Sequence, residues 1–311
     1  MKPIILKLHR WFALVFALPL LVVIGTGLFL SVEPSLVVGA AKPGSLTAER
    51  LQALIAQHDP SGQARALSYR SYDGTLMLAG RGAGPAIDVA TGQPAVRTSA
   101  LAEAFSTARR LHQSLLLNAG WLVIASSYVM LVLALLGVLL GWPKFAKTLS
   151  GWHKGTAWVL LPLVVLSPLT GLFLAYRITF TPPAGPASGE GSPISLIAAV
   201  RALGQEHDLS GLVWVRPMRG QTLARIVEQG EFRIYAISSS GSSGGSSANV
   251  RLQPRNWPRL WHEGNFAGHV SAGLNVVTSM AMLLLLATGV WIWVRRSLRR
   301  RGARRAGPAV A

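Results

Sequence analysis

Four long apolar runs alternate with two polar segments along the chain. The apolar runs lie at about 11–31, 119–141, 156–177 and 270–294. Each can cross the hydrocarbon core of a bilayer, which takes about 20 residues of α-helix. The polar segments, about 33–110 and 180–262, are too long for loops and have the size of small domains. The pattern predicts four transmembrane helices and two domains outside the bilayer.

The first apolar run follows three basic residues, Lys2, Lys7 and Arg10, as the core of a secretory signal peptide would. However, this run is longer than the apolar core of a signal peptide. The stretch LFLSVEPSLVVGA that follows contains only a weak small-residue cleavage pattern. We therefore expect a retained transmembrane helix.

Each polar segment has a helical pattern followed by alternating strand patterns. In TAERLQALIAQHD, apolar residues at Leu51, Leu54 and Ile55 share one helical face, and Thr47 is placed to cap the helix. ARALSYRSYDGTLMLAG then alternates like two strands around a turn. The second segment follows the same order from PISLIAAVRALGQEHD to EFRIYAI. Two small α+β domains are predicted, the second with a flexible Gly/Ser-rich loop at 238–248.

Composition agrees with a membrane protein. Half of the residues are hydrophobic, 14% are charged, the mean hydropathy is +0.40 and there is no cysteine. The lack of cysteine excludes disulfide bonds within the chain and iron–sulfur clusters held by its thiolates.

The charged residues predict the orientation in the membrane. Thirteen basic and no acidic residues lie on one side, while all 12 acidic residues fall on the other side with 17 basic ones. Positive charge favours the cytoplasm, so we expect both termini and the middle loop there and the two domains in the periplasm of a Gram-negative bacterium. The basic tail then contacts anionic lipid, and no nucleic-acid partner is expected. The thirteen residues are Lys2, Lys7, Arg10, Lys144, Lys147, Lys154, Arg295, Arg296, Arg299, Arg300, Arg301, Arg304 and Arg305.

The apolar runs and the segments after them occur twice. A shift of 144 residues places His9 on His153 and TGLFL at 26–30 on TGLFL at 170–174. Spans one and three are therefore copies. Parallel repeats in a membrane relate by a pseudo-two-fold axis along the membrane normal.

The outer parts of the two halves also correspond. A shift of about 149 residues places QHDPSG on EHDLSG, and a shift of 150 places His112 in RLHQS on His262 in LWHEG. The repeated unit is helix, domain, helix, in the same orientation both times. His9 and His153 thereby become mates at the cytoplasmic boundary, and His112 and His262 at the outer one.

Two imidazoles on opposite sides of an axis are suited to a planar metallocycle. Haem iron commonly takes axial histidine, and without a C-x-x-C-H motif the expected cofactor is haem b, two per chain. Zinc or copper would need three or four clustered ligands, which the sequence does not provide. The alternative is that these are plain interfacial histidines.

Three further histidines need separate interpretation. His269 lies seven residues after His262, so on a continuous helix both share a face; symmetry favours His262 as the outer ligand and depth in the span favours His269. Both remain candidates. His58 and His207 lie in the HD turns of the two domains and are predicted to be turn residues.

Several of these stretches resemble the PepSY-associated transmembrane helix family. They are LHRWFALVFALPLLVVIGTGLFL, RLHQSLLL, GWHKGTAWVLLPLVVLSPLTGLFL and LWHEGNFAG followed by ATGVWIWVRR. In this order they cover nearly the whole chain. AIDVATGQP resembles the closing strand and turn of a PepSY domain, whereas RIYAISSSGSSGG matches that pattern poorly.

The resemblance implies a function. Some members of this family are inner-membrane haem proteins that reduce ferric siderophores in the periplasm, and His9, His112, His153 and His262 stand at matching positions. Other relatives carry a flavodoxin-like, NADPH-oxidising extension. Here GRGAGP lacks the strand–turn–helix setting of a dinucleotide site, so we expect no flavin or nicotinamide site in this chain. The electron donor is then a separate cytoplasmic reductase or quinol.

The sequence thus predicts a membrane α-helical fold with two parallel helix–domain–helix repeats and two small α+β PepSY-like periplasmic domains. Its expected activity is haem-dependent reduction of a ferric siderophore or another periplasmic iron chelate. The alternatives are a haem-free accessory protein that binds a periplasmic partner and a cytochrome subunit of another oxidoreductase. The predicted segments are helix 1 at 1–32, domain 1 at 33–110, helix 2 at 111–142, a loop at 143–155, helix 3 at 156–178, domain 2 at 179–260, helix 4 at 261–294 and the tail at 295–311.

Overall fold

The fold is described from a computed structural model of the chain. Two of the predictions above, Lys144 and residues 240–247 of the Gly/Ser-rich loop, lie outside the described residues, and side chains are described as far as residue 299. The described residues are 2–81, 84–95, 99–115, 118–142, 146–182, 194–218, 220–239 and 248–305.

The chain divides into two compact units, each built from separate parts of the sequence. The membrane-helix unit consists of Met1–Ser31, Ser106–Ile178 and Gly273–Ala311. The sheet unit consists of Val32–Phe105 and Thr179–Ala272.

Eleven α-helices and seven strands are assigned within the described residues. The helices are α1 (Lys2–Val15), α2 (Ala17–Leu30), α3 (Glu33–Ala40), α4 (Ala48–His58), α5 (Ala100–Ser114), α6 (Gly120–Leu139), α7 (Leu149–Val159), α8 (Leu161–Ala175), α9 (Leu196–Glu206), α10 (Trp257–Glu263) and α11 (Gly268–Arg305). The strands are β1 (Ala64–Arg70), β2 (Thr75–Gly80), β3 (Ile87–Asp88), β4 (Leu212–Met218), β5 (Gln221–Glu228), β6 (Glu231–Ser239) and β7 (Ala248–Leu252).

Three of the described helical stretches are long and apolar enough to cross a bilayer. They are Ala17–Ala40, Gly120–Leu139 and Gly268–Arg299, with hydropathies of 2.0, 2.6 and 2.0. Helices α7 and α8 make a fourth candidate if the pair, bent by 64°, is one span. Large apolar side chains on these helices are exposed, including Leu18, Leu135 and Leu284. Such side chains suit a lipid environment, so the prediction of a membrane protein agrees with the structure.

The first and third spans differ from their predicted bounds because both helices are interrupted. Phe16 separates α1 from α2, and Leu160 separates α7 from α8. Both residues leave helical geometry, with ψ angles of 6° and 12°. Each lies two or three residues before a proline, Pro19 or Pro162, which has no N–H to donate to the preceding turn.

The first membrane span therefore begins and ends later in the chain than the sequence predicted. The first candidate span is Ala17–Ala40, where 11–31 was expected, and α1 precedes it as a separate helix. Pro168 lies inside α8, which continues through it.

The sheet unit contains one antiparallel sheet of seven strands in the order β3-β2-β1-β4-β5-β6-β7. The segments at 33–110 and 179–260 were expected to form two domains, yet both contribute strands to this sheet. They meet where β1 pairs with β4, with Leu67 opposite Val215 and Ser68 opposite Trp214. Pairing these two strands satisfies backbone groups that would be open edges in two separate sheets.

Helices α4 and α9 pack together on the sheet and share one core with it. Leu51 and Leu54 of α4 and Leu203 of α9 are fully buried against Leu67 and Val215. Because the core includes both segments, neither buries its apolar face alone. Thr47 caps α4, as the sequence predicted, by accepting a hydrogen bond from the Arg50 N–H.

Gly204 permits the close approach of α9 to α4. A Cβ atom at this position would lie 2.4 Å from the Cβ of Ala48, which is closer than packed carbon atoms come. A larger residue would therefore push the two helices apart.

The HD turns of both segments hold their aspartates in hydrogen bonds. Asp59 accepts from the backbone N–H groups of Ala64 at 2.7 Å and Gln63 at 2.9 Å. The bond from Ala64 contributes most to lowering the pKa of Asp59. Burial raises the pKa of Asp208, but hydrogen bonds from Ser210 and from the Gly44 N–H outweigh it, so this pKa is lowered too.

These two carboxylates predict an acid-sensitive sheet unit. A carboxylate whose folded pKa is depressed stabilises the fold above its unfolded pKa of about 3.8, and that contribution is lost as the pH falls through the folded value. Asp59→Asn and Asp208→Asn should therefore lower stability at neutral pH, and their difference from the unaltered protein should shrink in acid. Thermal unfolding between pH 7 and pH 2 measures this, with the exposed Glu103→Gln as control. A difference that is constant with pH would contradict the assignment.

Candidate functional site

A cavity of about 300 Å³ lies inside the membrane-helix unit. This is at the lower end of the range of about 300–1,000 Å³ found for ligand pockets. Its walls are formed mainly by α1, α6, α7 and α11. Small residues leave the space open; they are Ala13, Ala134, Gly137, Ala157 and Gly289.

His9 of α1 and His153 of α7 both line this cavity. The structure therefore brings together the two histidines that the 144-residue shift relates. The Nδ1 atom of His9 is buried and has no well-aligned hydrogen bond within the part of the chain that the structure describes, while its ring interacts with the backbone of Leu133. An imidazole nitrogen buried without a well-aligned partner costs free energy.

His153 is oriented by Thr288 of α11. The Nδ1 atom of His153 lies 2.8 Å from the Thr288 hydroxyl oxygen, and that hydroxyl donates its own hydrogen to the Leu284 carbonyl at 2.6 Å. Since the hydroxyl hydrogen is already used, the oxygen must accept the N–H of Nδ1. In the neutral ring the lone pair then lies on Nε2, which is the arrangement that a metal-binding histidine needs.

Helices α6 and α11 both line the cavity but differ in the residues that they place there. Gly289 follows Thr288 on α11, and on α6 the cavity residue Gly137 follows Leu136. A Cβ at Gly289 would lie 3.5 Å from the His153 Cε1 atom, whereas a Cβ at Gly137 would meet no described atom within 4 Å.

Positive charge surrounds the cavity. Arg10, Lys154 and Arg296 contribute to its lining, and among the described residues no carboxylate does so. The site therefore favours an apolar ligand that also carries negatively charged groups.

His112 lies at the end of α5 against α2. Its Nδ1 atom is 3.0 Å from the Val23 carbonyl oxygen and 3.2 Å from the Thr26 hydroxyl oxygen. A carbonyl oxygen can only accept, so Nδ1 carries the hydrogen and Nε2 has the lone pair. Gly27 makes room for the ring, because a Cβ there would lie 3.2 Å from the His112 Cε1 atom.

His262 and His269 belong to the sheet unit, whereas His112 belongs to the membrane-helix unit. His262 is in the last turn of α10, and His269 is in the first turn of α11. The helices are separate because Gly264 and Gly268 take left-handed conformations, with φ of 69° and 54°. The expectation that His262 and His269 share the face of one continuous helix is therefore wrong, and the choice between them stays open.

The turn histidines have structural contacts, as predicted from their positions. Nε2 of His58 lies 2.9 Å from the Gly92 carbonyl oxygen. Nδ1 of His207 lies 2.7 Å from one carboxylate oxygen of Glu228. The other carboxylate oxygen of Glu228 accepts a hydrogen bond from the Tyr235 hydroxyl. Burial and this carboxylate raise the pKa of Tyr235 to about 12. Both histidines thus join parts of the sheet unit.

Thr26 and Thr288, the partners of His112 and His153, are not among the residues predicted from the sequence. One signal was present, because a Thr-Gly dipeptide occurs in three of the apolar runs, at 26–27, 170–171 and 288–289. Which histidine each threonine meets, however, depends on the packing of helices distant in sequence.

The residues around the cavity fit haem. Among the described residues no group of three or more His, Asp or Glu side chains could hold a metal ion. Two imidazoles alone suit a metal whose other ligands come from a macrocycle. His9 on α1, the oriented Nε2 of His153 on α7 and the three cations of the lining meet this requirement.

Comparison with known proteins identifies the family. The family described as the PepSY-associated TM region matches residues 6–296, a range that includes all five candidate ligands. No curated protein matches the chain. The chain belongs to the PepSY-associated TM family.

Proposed function

We propose that this member of the PepSY-associated TM family is a haem-dependent ferric reductase of the bacterial inner membrane. It would pass electrons outward to a chelated ferric ion in the periplasm. The observation that carries the proposal is that His9 and His153, from two helices related by the sequence repeat, line one apolar cavity with three cations and no carboxylate.

The chain's residues would hold the cofactor as follows. His153 would bind the iron through Nε2, because Thr288 occupies its Nδ1 hydrogen. His9 would bind from α1, and Arg10, Lys154 and Arg296 would pair with the propionates. Apolar walls exclude water and favour the uncharged part of the ring. Haem, when bound, supplies one-electron redox chemistry.

A second haem is proposed near the outer boundary. His112 would be one of its ligands, and the Val23 carbonyl fixes the ring by accepting the Nδ1 hydrogen. His262 or His269 would be the opposite ligand. With the cytoplasmic pair, this gives the chain one cofactor near each membrane boundary.

The charge distribution supports the direction of electron flow. The basic residues at 2–10, 144–154 and 295–305 favour the cytoplasm, so the donor would be a cytoplasmic reductase or quinol. The acceptor would be a ferric siderophore or a similar chelate on the side of the sheet unit. One electron converts Fe(III) to Fe(II), which oxygen-donor chelators hold more weakly.

Electron transfer across a membrane tests this function. The purified protein is reconstituted in liposomes that enclose ferric citrate and ferrozine, and dithionite is added outside. The unaltered protein should form the coloured ferrous complex inside. His9→Ala and His153→Ala should each slow this by at least about tenfold, because each removes an axial ligand.

His58→Gln is the matched control, since His58 contacts a carbonyl in the sheet unit and lies outside the proposed haem sites. It should keep the rate within about twofold. A rate for the unaltered protein equal to that of empty liposomes, or full activity in His153→Ala, would contradict the proposal.

The role of Thr288 generates a second prediction. Thr288→Val keeps the shape of the side chain but removes the acceptor for His153 Nδ1, so haem should be lost about 10–100 times more readily in transfer to apomyoglobin. Thr288→Ser, which retains a hydroxyl, should restore retention.

Thr278→Val is the control for this measurement. Thr278 is also buried on α11 and also donates to a carbonyl of the preceding turn, that of Leu274 at 2.8 Å. If Thr278→Val and Thr288→Val lose haem equally, the effect comes from the helix and the assigned contact with His153 has no role.

A further inference from the structure

A second pocket, of about 370 Å³, lies in the sheet unit between β5, β6, the segment after β7, and α10. Its lining contains four arginines and one carboxylate, and nothing in the proposed haem sites uses these residues. The charged residues are Arg225, Arg233, Arg255, Arg259 and Glu231. We call this group the arginine pocket.

Arg225 forms a buried wall of the arginine pocket. Its side chain is 12% exposed, and a terminal nitrogen lies 2.7 Å from a carboxylate oxygen of Glu263. The guanidinium group stacks over the Phe232 ring at 4.7 Å from the centroid. Its Nε atom is buried and has no hydrogen-bond partner within the described ranges. An N–H group of this wall is therefore unsatisfied.

Arg255 is held by the one acidic residue of the lining. Its Nε and terminal nitrogen bind the two oxygens of Glu231 at 2.6 and 2.8 Å, as a paired interaction. This contact is the main cause of the lowered pKa of Glu231. The negative charge of Glu231 is thus already paired.

Arg233 and Arg259 are held more loosely. Arg233 lies 3.5 Å from Glu231 and 3.4 Å from Glu228, and Arg259 lies 3.8 Å from Glu263. Their side chains are 29% and 37% exposed. Each guanidinium has five N–H donors in a planar fork, so donors at the mouth of the pocket remain available to a ligand.

If the arginines served only to connect the strands to α10, each would need a carboxylate partner. The positive charges outnumber the carboxylates near them. Together with Arg216, whose charge interacts with Arg259, Arg225 and Glu263, there are five guanidinium groups for the carboxylates of Glu228, Glu231 and Glu263. Burial, followed by the charges of Arg259 and Arg225, lowers the pKa of Arg216. This surplus of positive charge destabilises the empty pocket and would be relieved by an anion.

We propose that the arginine pocket binds a multiply charged carboxylate ligand of the size of a tricarboxylate. Planar guanidinium groups match carboxylate groups in pairs, and the four arginines of the lining provide for a ligand with several of them. The apolar side chains of Phe232 and Leu252 line the same pocket and would contact the carbon skeleton.

The arginine pocket also lies next to a residue of the proposed outer haem site. This link between the pocket and electron transfer rests on the proposed function. Arg259 is three residues before the candidate haem ligand His262 on α10, so the two side chains are neighbours on one helix. An anionic ferric chelate in the arginine pocket would lie beside the outer end of the electron path.

Titration calorimetry of the full-length protein in detergent with iron-free citrate tests the pocket. Citrate should bind, and about 0.5 M salt should weaken it. Arg259→Gln should lower the affinity by about tenfold or more, because a charge-assisted pair is lost. Arg65→Gln, which removes an exposed arginine of β1, should change it by less than about twofold.

Glu231→Gln separates binding from damage to the fold. Removing the acidic residue frees Arg255 and should raise the affinity for citrate, which a misfolded protein would not do. Absence of citrate binding, equal losses in Arg259→Gln and Arg65→Gln, or weaker binding by Glu231→Gln would each overturn the proposal. Iron-free citrate involves no redox step, so this result is independent of whether the protein binds haem.

Discussion

A buried imidazole needs partners for both of its nitrogen atoms, and this requirement organises the membrane-helix unit. A neutral ring has one N–H donor and one lone pair, and an apolar surrounding penalises either one left unmatched. At His153, Thr288 accepts the N–H, and at His112 the Val23 carbonyl does so. In both cases the contact fixes the hydrogen on Nδ1, which places the lone pair of the neutral ring on Nε2.

The need for a hydrogen-bond partner beside each ring also explains how closely the helices approach the histidines. Gly27 and Gly289 bring α2 and α11 close to the rings of His112 and His153, and each glycine follows the threonine that contacts that ring. The interruptions at Phe16 and Leu160 divide the histidine-bearing helices α1 and α7 from the apolar helices that follow. The Nδ1 atom of His9 has no such hydroxyl partner among the described residues.

The sequence predicted the parts of this arrangement that depend on local pattern. Apolar length predicted the membrane helices, helical and alternating spacing predicted α4 and β1, and Thr47 was identified as a cap. The 144-residue shift related His9 to His153, which line one cavity. Membership of the PepSY-associated TM family was evident from four short stretches in order.

Other features depend on contacts between distant segments and could not be predicted. The pairing of β1 with β4 joins two segments that each looked like a complete small domain. Left-handed glycines at 264 and 268 separate α10 from α11, although His262 and His269 have helical spacing. The arginine pocket collects residues from β5, β6 and α10, each of which is an ordinary surface arginine in the sequence.

The central claim is that His9 and His153, with the outer histidines, hold haem. The most direct measurement is the absorption spectrum of the protein purified from haem-replete cells, before and after addition of dithionite. The account predicts a reducible b-type spectrum with about two haems per chain. A colourless preparation of correctly folded protein would contradict it.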